Sequence, residues 1–449
     1  MSSEKRKISV ASRAVGSSRH GAFVRELRRA ERGSRNWHRH KTGLFVLALV
    51  ERVWQSRRTP IACTHRFLKA RRAVAAVEPA ATRDVLDAIL DAIVDGVAPQ
   101  PAVLVTLTRY AKRLEREGRH ALAADVYRLI IDGARDAGIT DVLPQSYRRL
   151  GRCLRELGDW TTALAMYDAG LAVAGLNGDS VGMLWIQVAR TNLLRAQGKP
   201  GEARAVLDAA ISQVGWCMRG DLLANAMHER ALLAHDAGDF VGALADFRSA
   251  LQASEDRDHR FRLLNDLGHA STAAGQIALG RQAHLVVFLT GRERYTRWVA
   301  IINLMHIAVL EHDIDVFEQY RMELLQAPMA ARLRVDYNFQ VGDGYAEFGE
   351  PAKARESWAR AEQVAIRFDL EAAAGEAAQS IRTGIGRSSA LTAAPIDGLQ
   401  PIVAELAELV RSLMPRSVAH ALTAGHESAS RAPLRQKLRR GRPPRLDGG

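Results

Sequence analysis

The sequence has few cysteines, few aromatic residues and no long apolar run. Its 449 residues include three cysteines, Cys63, Cys153 and Cys217. This odd, scattered set excludes a disulfide framework and a zinc-binding spacing. The longest apolar run near the start, residues 43–50, is too short to span a bilayer, and residues 1–20 lack the apolar core of a secretion signal. We therefore expect a cytoplasmic protein with no membrane contact.

Motifs that support catalysis, phosphate binding or metal binding are also lacking. The glycines at 342 and 344 do not have the spacing of a Walker loop, and no His-Glu-x-x-His pair occurs. Asp313 and Asp315 are not followed by the glycine and glutamate of a calcium loop. Glu115 and Glu117 lie at a predicted helix end, where we expect them to be solvated. We therefore expect a non-enzymatic protein with no cofactor and no metal.

Charge is distributed unevenly along the chain. Residues 1–75 contain 19 Lys or Arg and 4 Asp or Glu, and residues 412–449 contain 8 and 2. Because the whole chain has a net charge of +13, residues 76–411 carry −8. The pattern predicts an acidic body between two basic ends.

Glycine recurs at a regular spacing. The intervals between six such glycines are 40, 40, 40, 37 and 74 residues, and 74 is twice 37. A fixed period of this size is typical of a repeat array. Around Gly158 the apolar positions step by three and four, as on one face of a helix, and glycine accepts the left-handed conformation that ends a helix. We therefore predict helix pairs with bends at Gly118, Gly158, Gly198, Gly238, Gly275 and Gly349.

Two other positions recur in register with these glycines. Five residues after the bend stands a small residue in five of the six units: Ala123, Ala163, Ala203, Ala243 and Ala354. Nine residues after it stands a bulky one: Tyr127, Tyr167, Leu207, Phe247 and Trp358. A small residue allows the two helices to approach closely, and a bulky one fills the space to the next pair. His284 takes the bulky place after Gly275, so we expect that unit to be weaker, and we predict a degenerate bend near His312.

This pattern resembles the tetratricopeptide repeat family over residues 103–382. Residues 157–171 and 237–251 are the most similar stretches, and Gly151, Gly268 and Gly342 match the family's small residue seven positions before the bend. Units of 37 to 40 residues, rather than 34, resemble the family's long-repeat branch. The resemblance implies an all-α fold, an α-solenoid of antiparallel helix pairs in a right-handed superhelix. It also implies a scaffold or adaptor that holds a protein or peptide segment in its concave groove.

The resemblance further implies that the first helix of each unit lines this groove. Some members of the family hold a carboxylate there with Asn and basic side chains, and Arg can grip a carboxylate with two hydrogen bonds. The matching register positions in this chain predict a peptide or partner site formed by Arg148, Arg152, Arg155, Asn192, Arg195, Asn225, His228, Asn265 and His269. The alternative is a solvated inner face with ion pairs inside the array.

The basic ends allow two interpretations. The N-terminal segment places Arg25, Arg28 and Arg29 at helical steps beside Trp37, and basic residues near aromatic ones can bind nucleic acid. The alternative is that this segment docks on the acidic body as a cap. Residues 440–443, Arg-Gly-Arg-Pro, resemble the AT-hook, whose arginines enter a narrow minor groove. Arg440 and Arg442 would then contact DNA, and the protein would be a nucleic-acid-linked regulator.

The sequence divides into six segments by composition and periodicity. The segments differ in charge and in apolar periodicity, and a stripe of leucine and isoleucine marks the final helix. We predict a basic, loosely ordered segment at 1–42, a helical cap or degenerate repeat at 43–102, the repeat array at 103–382, a linker at 383–398, a closing helix at 399–414 and a basic, disordered tail at 415–449.

Overall fold

The computed structural model describes residues 20–56, 64–94, 100–217, 219–368, 370–387, 396 and 398–414. In these ranges the chain forms twenty α-helices and no β-strand, so the predicted all-α class is confirmed. The chain divides into two compact units, Met1–Cys217 and Met218–Gly449, which we name unit 1 and unit 2. None of the helices in the described ranges is long and apolar enough to cross a membrane.

Unit 1 holds ten helices in its described part, and each packs against the next one along the chain. They are α1 (Gly21–Arg29), α2 (Arg35–Ser56), α3 (Thr64–Ala75), α4 (Ala80–Val94), α5 (Pro101–Arg116), α6 (His120–Asp136), α7 (Leu143–Glu156), α8 (Trp160–Leu176), α9 (Ser180–Ala196) and α10 (Pro200–Cys217).

Unit 2 also holds ten helices in its described part, and its successive pairs stack as an α-solenoid. They are α11 (Gly220–Asp236), α12 (Phe240–Ala253), α13 (Arg257–Ala273), α14 (Ile277–Thr290), α15 (Arg294–Leu310), α16 (Ile314–Leu324), α17 (Ala331–Glu347), α18 (Pro351–Arg367), α19 (Glu371–Thr383) and α20 (Leu399–Ser412).

The predicted bends are confirmed. All six glycines have a left-handed φ, between 69 and 81°, and His312 has a φ of 53° at the predicted degenerate bend. The bend after α7 shows why the chain turns there. The backbone N–H of Asp159 donates to the Leu154 carbonyl over 3.0 Å, and the Asp159 side chain accepts from the N–H of Thr162 over 3.1 Å. The first bond satisfies the end of one helix and the second caps the start of the next.

The recurring small and bulky residues form the contact between paired helices. All five alanines and all five bulky side chains are buried. A Cβ built on Gly151 would lie 2.7 Å from the ring of Tyr167, and one on Gly342 would lie 2.5 Å from Trp358. The ring of the bulky residue after the bend therefore packs directly against the small residue before it. The ring of His284 packs on Gly268 in the same way, so this unit, which we expected to be weaker, keeps the same contact.

The last helix, α20, folds back within unit 2. It packs against α12 and α14, which belong to earlier helix pairs. Leu399, Leu406 and Val410 are buried at this contact, and Arg248 of α12 forms an ion pair with Glu405 of α20. The apolar stripe that marked this helix in the sequence is thus covered by the second helices of two repeats.

Candidate binding sites

One side of α7 presents three arginines, which we name the arginine face: Arg148, Arg152 and Arg155. Their steps of four and three residues place them on one side of the helix, and all three side chains are half-buried. The guanidinium of Arg148 lies 4.7 Å from the ring centroid of Trp185 on α9, and its Nε donates to the Gln145 side chain. The structure therefore brings these three arginines together on one side of α7, and their role in binding a partner stays a prediction.

The arginine face has more positive than negative charge. Arg152 lies 3.9 Å from Glu115 of α5, and Arg155 lies 2.6 Å from Glu156. Burial, together with the charges of Arg149 and Arg152, lowers the pKa of Arg148 to about 9. Burial is the larger cause, and the neighbouring arginine charges add to it; a bound carboxylate would oppose both effects by favouring the charged guanidinium.

Glu115 and its partners were missed by the sequence analysis. We expected Glu115 to be solvated, and this was wrong, because only 8% of the residue is exposed. It accepts hydrogen bonds from Tyr127 and from Arg149 over 3.1 Å. Burial opposes its ionisation, but Arg149 and Arg152 outweigh burial and hold its pKa below the usual range. The sequence signal for this contact was the run of basic residues on α7, for which a nearby acid provides a counter-charge.

Asn192 and Arg195 of α9 lie beside each other. Arg195 donates to the Asn192 side-chain oxygen over 3.2 Å. Asn192 is buried, whereas Arg195 is half-buried. A ligand of unit 1 could therefore contact the Arg195 guanidinium but little of the Asn192 amide.

Two of the predicted residues of unit 2, Asn265 and His228, form hydrogen bonds to other helices of this unit. Buried Asn265 donates to the Thr296 carbonyl over 3.1 Å, and its side-chain oxygen lies 3.2 Å from His284 Nδ1. His228 is buried and lies 3.1 Å from His259 and 2.8 Å from the Asp266 carboxylate. These bonds join neighbouring helices, so the polar atoms of both residues have partners within unit 2.

Asn225 and His269 are more accessible than the other two. Asn225 is half-buried and donates to the Asp221 carbonyl of its own helix over 2.8 Å. His269 is exposed, and its ring centroid lies 5.4 Å from that of His235. In the described ranges, no group of three or more His, Cys, Asp or Glu residues is arranged to hold a metal ion.

The N-terminal segment docks on the body of unit 1. The buried carboxylate of Asp125 on α6 accepts from the N–H of Ala22 over 2.8 Å and from that of Phe23 over 3.3 Å, at the start of α1. Arg39 of α2 pairs with Glu117, the other acid that we had wrongly expected to be solvated. These contacts favour the docking interpretation for the buried side of α1 and α2.

The predicted nucleic-acid residues are only partly used in this docking. Arg25 and Arg28 are exposed on α1, with no ion pair or hydrogen bond among the described residues. Arg29 lies 3.5 Å from Glu26. Arg440 and Arg442 lie outside the described residues. Docking therefore leaves part of the positive charge on the surface, and contact with nucleic acid stays a prediction.

Comparison with known proteins identifies the repeat. A family model of the tetratricopeptide repeat matches residues 143–213, which span α7 to α10. No curated protein matches the chain. A solved crystal structure, the tetratricopeptide repeat domain of P58(IPK), matches with 14% identity over 75% of this chain and 99% of that one, at a TM-score of 0.21. At that TM-score the structural match adds nothing to the family match.

Proposed function

We propose that this chain, which carries tetratricopeptide repeats, binds an acidic segment of a partner protein on the arginine face of α7. Tetratricopeptide repeats generally mediate protein–protein interaction, and proteins built from them are typically non-catalytic. The proposed role is therefore that of a non-enzymatic adaptor. Its cytoplasmic location stays a prediction.

The observation that carries this proposal is the imbalance of charge on the arginine face. Arg149 and Arg152 share Glu115, Arg155 pairs with Glu156, and Arg148 makes no ion pair among the described residues. The Nε atoms of Arg149 and Arg152 are buried and have no hydrogen-bond acceptor among the described residues. Since these buried atoms are out of a partner's reach, a partner's carboxylate would bind the accessible part of Arg148 and supply the negative charge that Arg148 lacks.

The surroundings of Arg148 add a reason for a peptide rather than a simple anion. Trp185 holds the guanidinium by a cation–π contact, which leaves the rest of the half-buried ring as an apolar surface beside the charge. A segment with acidic residues next to apolar ones would satisfy both features. Arg195 on α9 extends the basic surface, and on unit 2 we retain Asn225 and His269 as separate proposed contacts.

The test uses a fluorescein-labelled 20-residue peptide rich in Asp and Glu, with a leucine every five residues. Its affinity for the full chain is measured by fluorescence anisotropy. The variant R148Q/R152Q/R155Q should bind at least about tenfold more weakly, since each lost charged hydrogen bond costs roughly 1.5 kcal/mol or more.

A matched control separates the site from bulk charge. Arg292, Arg355 and Arg382 of unit 2 are exposed and have no partner among the described residues, so R292Q/R355Q/R382Q removes the same charge elsewhere. This control should bind within about twofold of wild type, and both variants should keep their far-UV circular dichroism. Equal loss of affinity in the two variants, or no loss in either, would show the proposal to be wrong.

A further inference from the structure

We infer that a cavity between α2 and α3 is a binding site for single-stranded nucleic acid. The cavity has a volume of about 540 Å³ and is lined on α2 by Phe45, Ala48, Leu49, Glu51, Arg52 and Gln55, and on α3 by Arg66. We name it the α2–α3 cavity. It is formed by other helices than the arginine face, and the inference does not depend on the proposed function.

The floor of the α2–α3 cavity is apolar and partly aromatic. Phe45, Ala48 and Arg52 lie at steps of three and four residues, so they share one side of α2. Leu49 is buried beneath them, and Phe45 is only half-buried, so part of its ring faces the cavity. A volume in the range of known ligand pockets, next to an aromatic ring, suits a planar group such as a nucleobase.

The rim of the cavity carries two uncompensated positive charges. Arg52 and Arg66 are exposed and make no ion pair or hydrogen bond among the described residues. Glu51 is the one carboxylate of the lining, and its oxygen is already bonded to His20 over 3.2 Å. By contrast, Arg71 of α3 is paired with Asp87 over 2.6 Å and with Asp91. The two rim guanidiniums are thus available to phosphate oxygens.

Further cations continue from the rim along the same two helices. Lys41 is four residues before Phe45 on the same side of α2, and its ammonium lies 4.5 Å from the ring centroid of Trp37. Lys69 and Arg72 follow Arg66 at three-residue steps on α3, and both are exposed without an acidic partner among the described residues. From position 41 to 52 the helix advances about 16 Å, which spans several phosphates of a strand.

The combination of ring and charge selects nucleic acid over other polyanions. A single strand offers a stacking base and a phosphate at each step, and aromatic side chains among basic ones are how proteins bind it without reading its sequence. An acidic polypeptide offers carboxylates without a stacking ring at each step. A flat lipid surface does not enter a concave site.

The test measures binding of a fluorescein-labelled 12-nucleotide oligothymidylate to the full chain by anisotropy, at 50 to 300 mM KCl. The variant R52Q/R66Q should bind at least about tenfold more weakly. Its slope of log affinity against log salt should be smaller in magnitude by about 1.4, because each phosphate contact on a single strand contributes about 0.7. Phe45→Leu should weaken binding about fivefold or more with an unchanged slope, because it removes stacking and no charge.

The matched control is R355Q/R382Q, which removes two exposed and unpaired arginines of unit 2 and should leave affinity and slope as in wild type. Thermal unfolding midpoints should agree among wild type and the two arginine variants, and Phe45→Leu should remain folded at the temperature of the binding assay. The inference is overturned by absence of binding at 50 mM KCl, or by equal effects of the two arginine pairs. It is also overturned if polyglutamate displaces the strand as well as unlabelled oligothymidylate does, or if a 12-base-pair duplex or free thymidine monophosphate binds more tightly than the strand.

Discussion

Replacing Gly151 by alanine tests the packing that holds a helix pair together. The added Cβ would lie 2.7, 2.9 and 3.0 Å from three atoms of the Tyr167 ring. Tyr167 is fully buried, so the ring cannot swing out into solvent, and α7 and α8 must separate. Overpacking of this kind costs about 1–3 kcal/mol. Alanine returns roughly 1 kcal/mol of helix propensity, so we expect a net loss of up to about 2 kcal/mol of unfolding free energy.

Gly175 provides the matched control in the same unit. It lies on α8, is exposed, and has open space where a Cβ would be added. Gly175→Ala should therefore gain about 0.5–1 kcal/mol, because only helix propensity changes. Urea unfolding followed by circular dichroism measures both variants.

A second substitution at Tyr167 identifies the cause. In a double-mutant cycle, Tyr167→Leu should relieve part of the penalty of Gly151→Ala, with a coupling energy of about 1 kcal/mol or more. If Gly151→Ala is as stable as Gly175→Ala, then the Tyr167 ring does not pack tightly against Gly151, and the proposed reason for a glycine at this position is wrong.

Three further predictions concern charge and burial. Burial, only partly offset by the Trp358 hydrogen bond, raises the pKa of Asp343 to about 6. The stability of wild type relative to Asp343→Asn should therefore fall as the pH rises from 4 to 7, by at most about 3 kcal/mol and nearer 1 after screening. The pKa of Glu115 is lowered, so its ionised carboxylate stabilises the fold above pH 4.5, and this stabilisation is lost as the pH falls below that value. Glu115→Gln should therefore cost about 2 kcal/mol of unfolding free energy at pH 7 and less at pH 3. Leu406→Ala should cost about 2–5 kcal/mol, because this side chain of α20 is fully buried. Urea unfolding at each pH measures all three, and pH-independent differences would contradict the first two.

The sequence predicted the helix pairs because their constraints are local. A left-handed φ excludes most side chains, so a periodic glycine predicts a bend without knowledge of distant residues. The buried alanine and bulky positions follow within nine residues of that bend. His284 shows the limit of this reasoning: a polar ring takes the bulky place because Asn265, on the neighbouring helix, provides its hydrogen-bond partner. Two bends between pairs, at Gly138 and Gly178, were missed although they have the same left-handed φ.

Contacts between distant segments could not be predicted. Glu117 pairs with Arg39, 78 residues away, and Glu115 pairs with Arg149, 34 residues away, so each acid seemed solvated when only its neighbours in sequence were known. The apolar stripe of α20 was visible, but periodicity does not say which helices cover it. Likewise, the register placed Asn265 among the ligand-binding candidates, whereas its amide bonds neighbouring helices.

The most direct test of the account is the sign of one stability change. Gly158 has a φ of 81°, and a Cβ added there would meet nothing within 4 Å, so Gly158→Ala changes the backbone alone. The bend at Gly158 ends α7 and thereby sets the register of its three arginines. The account predicts a loss of about 1 kcal/mol in unfolding free energy for Gly158→Ala. A gain of about 1 kcal/mol, as expected for a glycine inside a continuous helix, would contradict it.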